Sequence, residues 1–213
     1  ATFNPEPVAD FVDAFIIGEG EEAIVDVVEA YKRHRQADRT AQLAALAQIP
    51  GIYVPRFYDP AYHVDGTLAS LTPNRPDALH PIQRRLVSVL PPPPTRQIVP
   101  NVSITHDRGV IEIQRGCTRG CRFCHAGVVT RPMRERPLEE VLEAVDRIVD
   151  QTGYEEIALL SLSSADYGQI DELVETLAQR YAERHLSISL PSLRIESFSV
   201  DLADAVSQGR RSG

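Results

Sequence analysis

Residues 116–124 read Gly-Cys-Thr-Arg-Gly-Cys-Arg-Phe-Cys, and this stretch decides how the rest of the chain is interpreted. It holds all three cysteines of the protein, Cys117, Cys121 and Cys124, in the spacing C-x3-C-x2-C. Three thiolates on one short loop can converge on a single metal centre, because a loop lets each Cβ turn inward as no helix or strand would. Three is one fewer than the four thiolates that close most iron–sulfur or structural zinc sites. An iron–sulfur cube held in this way keeps one iron free for a small molecule.

Other kinds of site fit parts of the same stretch. Residues 121–125, Cys-Arg-Phe-Cys-His, match the C-x-x-C-H pattern of c-type haem attachment, which leaves Cys117 without a role. A structural zinc ion held by the three cysteines and His125 is a second alternative, although the adjacent Cys124 and His125 would both have to reach one ion. A disulfide with one spare thiol would require an oxidising compartment.

The composition is that of a globular chain with room for one sizeable core, or for one domain and part of another. The net charge of −8 argues against a general nucleic-acid coat and is compatible with a local RNA site. No run of about 18 apolar residues occurs, so we predict no membrane contact, and cysteines in reduced form indicate the cytoplasm. Because the chain starts at Ala1 rather than Met, we expect a fragment of a longer protein.

From about residue 106 the sequence alternates between strand and helix patterns. Apolar runs predict strands over 110–114, 157–162 and 186–190. Apolar residues at helical spacing predict helices over 137–149, 170–181 and 200–206. Three strand–helix units in series imply right-handed crossovers and a parallel sheet. The cysteine loop follows the first strand at its carboxyl end, where β/α barrels place their functional loops.

The first half of the sequence carries weaker signals. Residues 13–17 predict a buried strand, and the turn Gly-Glu-Gly-Glu-Glu at 18–22 leads into a helix. The acidic residues of that turn would repel a phosphate, so we interpret the turn as structural. The apolar face predicted for the helix consists of Ala23, Ile24, Val27, Val28 and Tyr31. A short helix ending near Ile49 and an extended segment over 51–55 follow, and proline-rich residues 59–105 predict a linker.

Several motifs together resemble one known family. They are the cysteine motif, Arg-Pro-Met-Arg-Glu at 131–135, Gly-Tyr-Glu-Glu at 153–156, Ser-Leu-Ser-Ser-Ala-Asp-Tyr at 161–167 and Ser-Leu-Pro-Ser-Leu-Arg at 189–194. They resemble the radical S-adenosylmethionine (SAM) superfamily, and within it the uncharacterised proteins that carry an N-terminal cobalamin-binding-type domain.

The resemblance implies an α/β fold with three regions. Residues 1–58 would be the C-terminal part of a Rossmann-like cobalamin-binding-type domain, and 59–105 a Pro-rich linker. Residues 106–213 would form the N-terminal half of a partial (β/α) barrel of the radical SAM type, its first three β/α units.

The resemblance also implies roles at matching positions. The three cysteines would ligate a [4Fe-4S] cluster whose fourth iron is chelated by SAM. Phe123 would shield the cluster, and its backbone would meet the adenine. In the loop after the second barrel strand, the SAM amino group would bind the backbone of Ser161, Leu162 and Ser163. The glycine-glycine-glutamate common at that place in the family is absent here.

The function that the resemblance implies is reductive cleavage of SAM, followed by hydrogen abstraction or methyl transfer. The electron would come from a flavodoxin- or ferredoxin-like reductant. We assign no side chain as a general acid or base, because the cofactor carries the chemistry. The cobalamin motif Asp-x-His-x-x-Gly does not occur in these residues, so the resemblance extends cobalamin only to a full-length protein. We expect this stretch alone to be inactive. The alternative is a non-catalytic binding module stabilised by zinc or an iron–sulfur cluster.

Six arginines surround the cysteines in an otherwise acidic protein: Arg115, Arg119, Arg122, Arg131, Arg134 and Arg136. They could offset an anionic cluster, bind a carboxylate or phosphate, or contact RNA. They could equally be loop charges or partners of Glu112 and Glu135. Asp166 and Tyr167 could face a substrate, or could cap and pack a helix.

Overall fold

The computed structural model describes residues 3–102 and 104–194. The chain divides into two compact units, Ala1–Ser88 and Val89–Gly213. No helix within the described ranges is both long and apolar enough to cross a membrane. The short helix predicted over 200–206 lies outside the described residues.

The first unit combines two helices with two pairs of short strands. Its elements in chain order are β1 (Phe15–Ile16), α1 (Ala23–His34), α2 (Arg39–Ala47), β2 (Ile52–Tyr53), β3 (Tyr58–Tyr62) and β4 (Leu68–Pro73). Strand β1 pairs with β2 and strand β3 with β4, both antiparallel. The core lies mainly between α1, α2 and the segment from β2 to the start of β3: Ala30, Leu43, Ala47, Ile49, Ile52, Tyr53, Val54, Phe57 and Tyr58.

Helix α1 buries only part of the face predicted for it. Ala23 and Ala30 are buried and Val27 packs against the core, whereas Ile24 and Tyr31 are exposed. The spacing i, i+4, i+7 of the buried stripe is helical, but the sequence pattern favoured the larger apolar side chains. Ala30 was not part of the predicted face because alanine contributes little hydrophobicity, yet it is buried in the core of this unit.

The turn after β1 is structural, as interpreted from its charges. Gly18 has φ +110°, and a Cβ placed there would lie 2.2 Å from Arg85 O, so another residue would not fit. Glu19 accepts a hydrogen bond from Val87 N (2.6 Å), and Arg85 pairs with Glu22 (3.3 Å). The predicted strand over 13–17 is shorter, Phe15–Ile16, and is half-buried rather than buried.

The β3–β4 hairpin lies mostly within the segment predicted as a linker. Its turn is built by Asp65, whose carboxylate accepts from Thr67 N (3.0 Å), and by Gly66 at φ +82°. Asp-Gly between extended segments is a strong hairpin signal, and it was outweighed by the prolines around it. The domain boundaries at 58 and 105 stay predictions.

The second unit contains a three-stranded parallel sheet with helices between its strands. Its elements are β5 (Gly109–Glu112), β6 (Gln114–Arg115), α3 (His125–Val129), β7 (Arg134–Glu135), α4 (Leu138–Thr152), β8 (Glu156–Leu160), α5 (Ile170–Arg180) and β9 (Ser187–Ser189). The strand order is β5-β8-β9, all parallel, with Ile111 opposite Leu159 and Ile157 opposite Ile188. Strands β6 and β7 form a separate antiparallel ladder.

Helices α4 and α5 cover one face of this sheet. The buried core includes Ile111, Ile113, Val141, Val145, Ile148, Ile157, Leu159, Leu173, Val174, Leu177 and Ile188. The parallel sheet and both helices confirm the predicted mixed α/β architecture, with strands a few residues shorter than the apolar runs. The partial barrel and the cobalamin-binding-type domain stay predictions.

We expect Ile148→Ala to destabilise the protein strongly. Ile148 is fully buried between α4 and the sheet, so truncation should leave a cavity and lower the free energy of unfolding by about 2–5 kcal/mol. The measurement is urea denaturation followed by circular dichroism. Ile98→Ala, at a position 93% exposed in the same unit, is the matched control and should change stability little. Equal effects of the two variants would contradict the assigned core.

Candidate metal centre

The cysteine loop begins just after the carboxyl end of β5, and its two ends lie next to each other. At Ile113 the chain leaves the parallel sheet: its N–H donates to Leu160 O (3.0 Å), while its carbonyl accepts from Arg136 N (2.9 Å). The next two residues form β6, which pairs with β7, so residues 116–133 are bracketed by the two strands of one ladder. The loop therefore lies at the carboxyl edge of β5, where the sequence predicted it.

Gly116, at the start of the loop, packs closely against the backbone at the end of the loop. Its φ is +88°, and a Cβ placed there would lie 2.7 Å from Pro132 O and 2.8 Å from Thr130 O. A larger residue would clash with backbone atoms, which cannot move aside as a flexible side chain would. The glycine of the motif is thus required by packing.

The three cysteines are free thiols. Cys117 is buried, and Cys121 and Cys124 are partly buried. Arg119 N donates to Cys117 Sγ (3.5 Å), and Gly127 N donates to Cys124 Sγ (3.3 Å). Hydrogen bonds of this kind to sulfur are among the features that tune protein-bound iron–sulfur clusters. The backbone around the loop is therefore suited to thiolate ligands.

Gly127, in the short helix α3, lies close to both the first and the third cysteine. A Cβ built on Gly127 would lie 3.6 Å from Cys124 Sγ and 4.0 Å from Cys117 Cβ, so both cysteines approach one point of the helix. In the part of the chain that the structure describes, no three His, Cys, Asp or Glu side chains form a group that could hold a metal ion as placed. The donor chemistry fits an iron–sulfur cluster, because the loop offers three thiols and contains no carboxylate. The ligand roles, and the zinc alternative with His125, stay predictions.

Most of the arginines near the loop have partners inside the protein. Carboxylates of Glu112, Asp166 and Glu140 pair with Arg115, Arg119 and Arg136, and backbone carbonyls accept from Arg131 and Arg134. Arg131 Nε is shared between Cys117 O (3.3 Å) and Gly127 O (3.1 Å), which ties the loop to α3. The other predicted acidic partner, Glu135, instead accepts from Gly168 N (3.0 Å). The structural interpretation therefore accounts for these arginines, while Arg122 is exposed.

The residues predicted to contact SAM differ in exposure. Phe123 is 92% exposed, and Leu162 is also exposed. Ser161 and Ser163 are buried, and Ser161 Oγ accepts from Ser163 N (3.0 Å) and donates to Ser164 Oγ (3.3 Å). The serine hydroxyls thus shape the loop after β8. Contact between these residues and SAM stays a prediction.

Asp166 connects three loops at the carboxyl edge of the sheet. Arg119, in the cysteine loop, donates to both of its carboxylate oxygens, with Nε 3.0 Å from Oδ2. Arg194, after β9, donates through Nη2 to Oδ1 (3.0 Å) and through Nε to Ser163 Oγ (3.3 Å). We call Arg119, Ser163, Asp166 and Arg194 the three-loop ion cluster.

The carboxylate of this cluster stays ionised over the ordinary pH range. Hydrogen bonding from Arg119 is the main cause that lowers the pKa of Asp166 to about 2, with further lowering by Ser163 and Arg194 against the opposing effect of burial. A carboxylate with a depressed pKa stabilises the folded state above its unfolded pKa of about 4. That stability is lost as the pH falls through about 2.

Two further side chains of this region, Gln114 and Tyr167, are buried. Gln114 is buried, its Nε2 donates to Gly116 O (3.4 Å), and its Oε1 has no partner among the described residues. The sequence signal for this position is a neutral polar residue that ends an apolar strand. Tyr167 is buried and donates to Arg136 O (2.8 Å), so it packs against the protein rather than facing a substrate.

Two family models match the chain. The model for the N-terminal region of radical SAM proteins matches residues 1–55, and the radical SAM superfamily model matches residues 111–209. The second match contains the cysteine loop, the three-loop ion cluster and all three parallel strands except the first two residues of β5.

Curated relatives agree with these models. The chain is 34% identical over 93 residues to uncharacterised protein MJ0966 of Methanocaldococcus jannaschii, covering 44% of this chain and 20% of the relative. It is 29% identical over 102 residues to ribosomal protein uS12 methylthiotransferase RimO of Brucella ovis, covering 44% and 22%. It is 26% identical over 148 residues to anaerobic magnesium-protoporphyrin IX monomethyl ester cyclase of Cereibacter sphaeroides, covering 68% and 21%.

The matched stretch spans about a fifth of the length of each of these relatives. The two family models nevertheless lie in separate parts of the chain and agree on one superfamily. With the C-x3-C-x2-C loop at the carboxyl end of a parallel strand, they show that this chain belongs to the radical SAM superfamily.

Proposed function

We propose that the protein is a radical SAM enzyme that reductively cleaves SAM at a [4Fe-4S] cluster and so initiates radical chemistry on a substrate. The observation that carries the proposal is the single loop with three free cysteines at the carboxyl edge of a parallel strand. A cluster bound there supplies the electron that cleaves SAM, delivered by a flavodoxin- or ferredoxin-like reductant. Membership of the superfamily supports both cofactors.

In this proposal the chain itself supplies ligands and placement. Cys117, Cys121 and Cys124 hold the cluster, and no other cysteine competes for it. The loop after β8 is shaped by internal hydrogen bonds, among them Ser163 N to Ser161 Oγ, and its backbone at Ser161 to Ser163 would bind the SAM amino group. Phe123 is exposed on the same loop as the cysteines, where its ring would shield the cluster and its backbone would meet the adenine.

The names of the relatives limit how far the proposal goes. RimO is a methylthiotransferase, whereas the relative from Cereibacter sphaeroides is a cyclase, so the relatives do not share one reaction. Cleavage of SAM is the step that the proposal assigns. Cobalamin belongs to the proposal only for a longer protein, since the motif Asp-x-His-x-x-Gly does not occur in the 213 residues.

We expect anaerobic reconstitution with iron and sulfide to give about four irons per chain. Cys117→Ala, Cys121→Ala and Cys124→Ala should each abolish the bound cluster, because each removes one of three ligands. His125→Ala is the discriminating control, and should retain the iron. Iron and sulfide analysis, together with electron paramagnetic resonance, measures the cluster content of the native protein and of each variant. One zinc per chain that is lost in His125→Ala would contradict the proposal and favour the zinc-stabilised binding module.

We expect a longer chain that contains these residues to form 5′-deoxyadenosine from SAM under reducing conditions. Residues 1–213 alone should form none, because the matched stretch spans about a fifth of each relative. Chromatography of the reaction mixture measures the product, and Cys121→Ala in the longer chain is the negative control. A reconstituted longer chain that carries a full cluster and still leaves SAM intact would refute the enzymatic function while preserving the metal site.

A further inference from the structure

One carboxylate links the cysteine loop to the loop after β8. Asp166 has a side chain only 11% exposed, and it accepts from Arg119 of the cysteine loop through both oxygens. A bidentate arginine–carboxylate pair fixes orientation as well as distance. The pair joins residues that are 47 positions apart in sequence, so it constrains the loop relative to the strand that follows.

The backbone around Asp166 is held by hydrogen bonds and by a buried neighbour, whereas the backbone at Arg119 is irregular. The backbone N–H of Asp166 donates to Ser163 O (3.0 Å), and the next residue, Tyr167, is buried and hydrogen-bonded to Arg136 O (2.8 Å). Arg119 lies between two cysteines in a stretch with neither helix nor strand. Movement of the cysteine loop would therefore be resisted from the Asp166 side.

Arg194 extends the same constraint to the third strand. It donates to Asp166 Oδ1 (3.0 Å) and to Ser163 Oγ (3.3 Å), and so holds the loops after β8 and β9 together. All three strand ends are thus joined at one carboxylate.

We propose that Asp166 is a positioning residue that holds the cysteine loop in its ligand-ready position through Arg119, with Arg194 bracing the carboxylate from the third strand. The inference rests on the proposed function for its biological purpose, because it assigns Asp166 a role in forming the cluster site. The ion cluster itself is present in the protein whatever metal the cysteines bind.

The expected effect is local rather than global. Exposed ion pairs contribute little to overall stability, and the Arg119 side chain is 47% exposed. Opening of one loop, by contrast, is a separate equilibrium that depends on the few contacts that close it. Loss of the Asp166 charge should therefore increase the exposure of the cysteine thiols without unfolding the sheet.

The test is alkylation of the metal-free protein by iodoacetamide, with each cysteine quantified by mass spectrometry. Asp166→Asn should raise the alkylation rates of Cys121 and Cys124 about 3- to 10-fold, the scale expected when one charge-assisted pair closing a loop is lost. Asp166→Glu, which keeps the charge, should stay within about 2-fold of the native rate. The urea midpoint should be unchanged in Asp166→Glu. In Asp166→Asn it should fall slightly, because the ionised carboxylate stabilises the folded state, and by less than global unfolding would need to explain the faster alkylation.

Asp13→Asn is the matched control, because Arg39 donates hydrogen bonds to both carboxylate oxygens of Asp13 in the other unit. This variant should leave the alkylation rates unchanged. Arg119→Lys keeps the charge and loses the bidentate guanidinium, so it should give an intermediate alkylation rate. This variant replaces Asp166→Asn in the test if Asp166→Asn fails to fold. Native alkylation rates in both Asp166→Asn and Arg119→Lys would overturn the proposal, as would a rate increase matched by an equal loss of global stability.

A second measurement separates this inference from the proposed function. During anaerobic reconstitution, Asp166→Asn should incorporate iron more slowly than the native protein, and Asp13→Asn should not. If the native protein takes up no iron, the proposed function fails, yet the alkylation rates still decide whether Asp166 holds the loop.

Discussion

The change of hydrogen-bond partner at Ile113 is the constraint on which the candidate site depends. Up to Glu112 the first strand runs parallel to β8, and beyond Ile113 the chain pairs with β7 instead. The donor of Ile113 still bonds to Leu160 O, while its acceptor already serves Arg136 N. Because Ile113 is also fully buried in the core, the point of departure is fixed by packing as well as by hydrogen bonds. The loop that follows is therefore held at both ends before any metal is considered.

Charge inside the second unit reinforces this placement. The arginines around the loop donate to carboxylates or to loop carbonyls, so their main effect is to stiffen backbone that has no regular structure. Arg136 is the clearest case: its side chain is buried and bonds both Glu112 O (2.7 Å) and Glu140 (2.8 Å). A buried guanidinium with satisfied donors is tolerable, whereas an unpaired one would be costly. Arg115, Arg119, Arg131, Arg134 and Arg136 thus have partners inside the protein, whereas Arg122 is exposed.

What the sequence predicted well was local and periodic. Helix α4 and strand β8 follow from apolar residues at regular spacing, and the cysteine motif located the loop. Ala30 in the buried stripe of α1 was missed because alanine contributes little to a hydrophobic pattern, and the β3–β4 hairpin was missed because the prolines of that segment favoured a linker. The three-loop ion cluster was beyond prediction for another reason. Its members come from three loops, and their pairing depends on the order of the strands.

The edges of the parallel sheet show where the structure is closed and where it is open. The side chain of Gln97 accepts from Val110 N (3.1 Å) and donates to Val110 O (2.6 Å), so an amide group takes the place of a neighbouring strand at the β5 edge. Strand β9, among the described strands, pairs with β8 alone. The outer edge of β9 therefore has no strand partner within residues 104–194. Arg194 follows that strand, so the ion cluster joins the cysteine loop to the open side of the sheet.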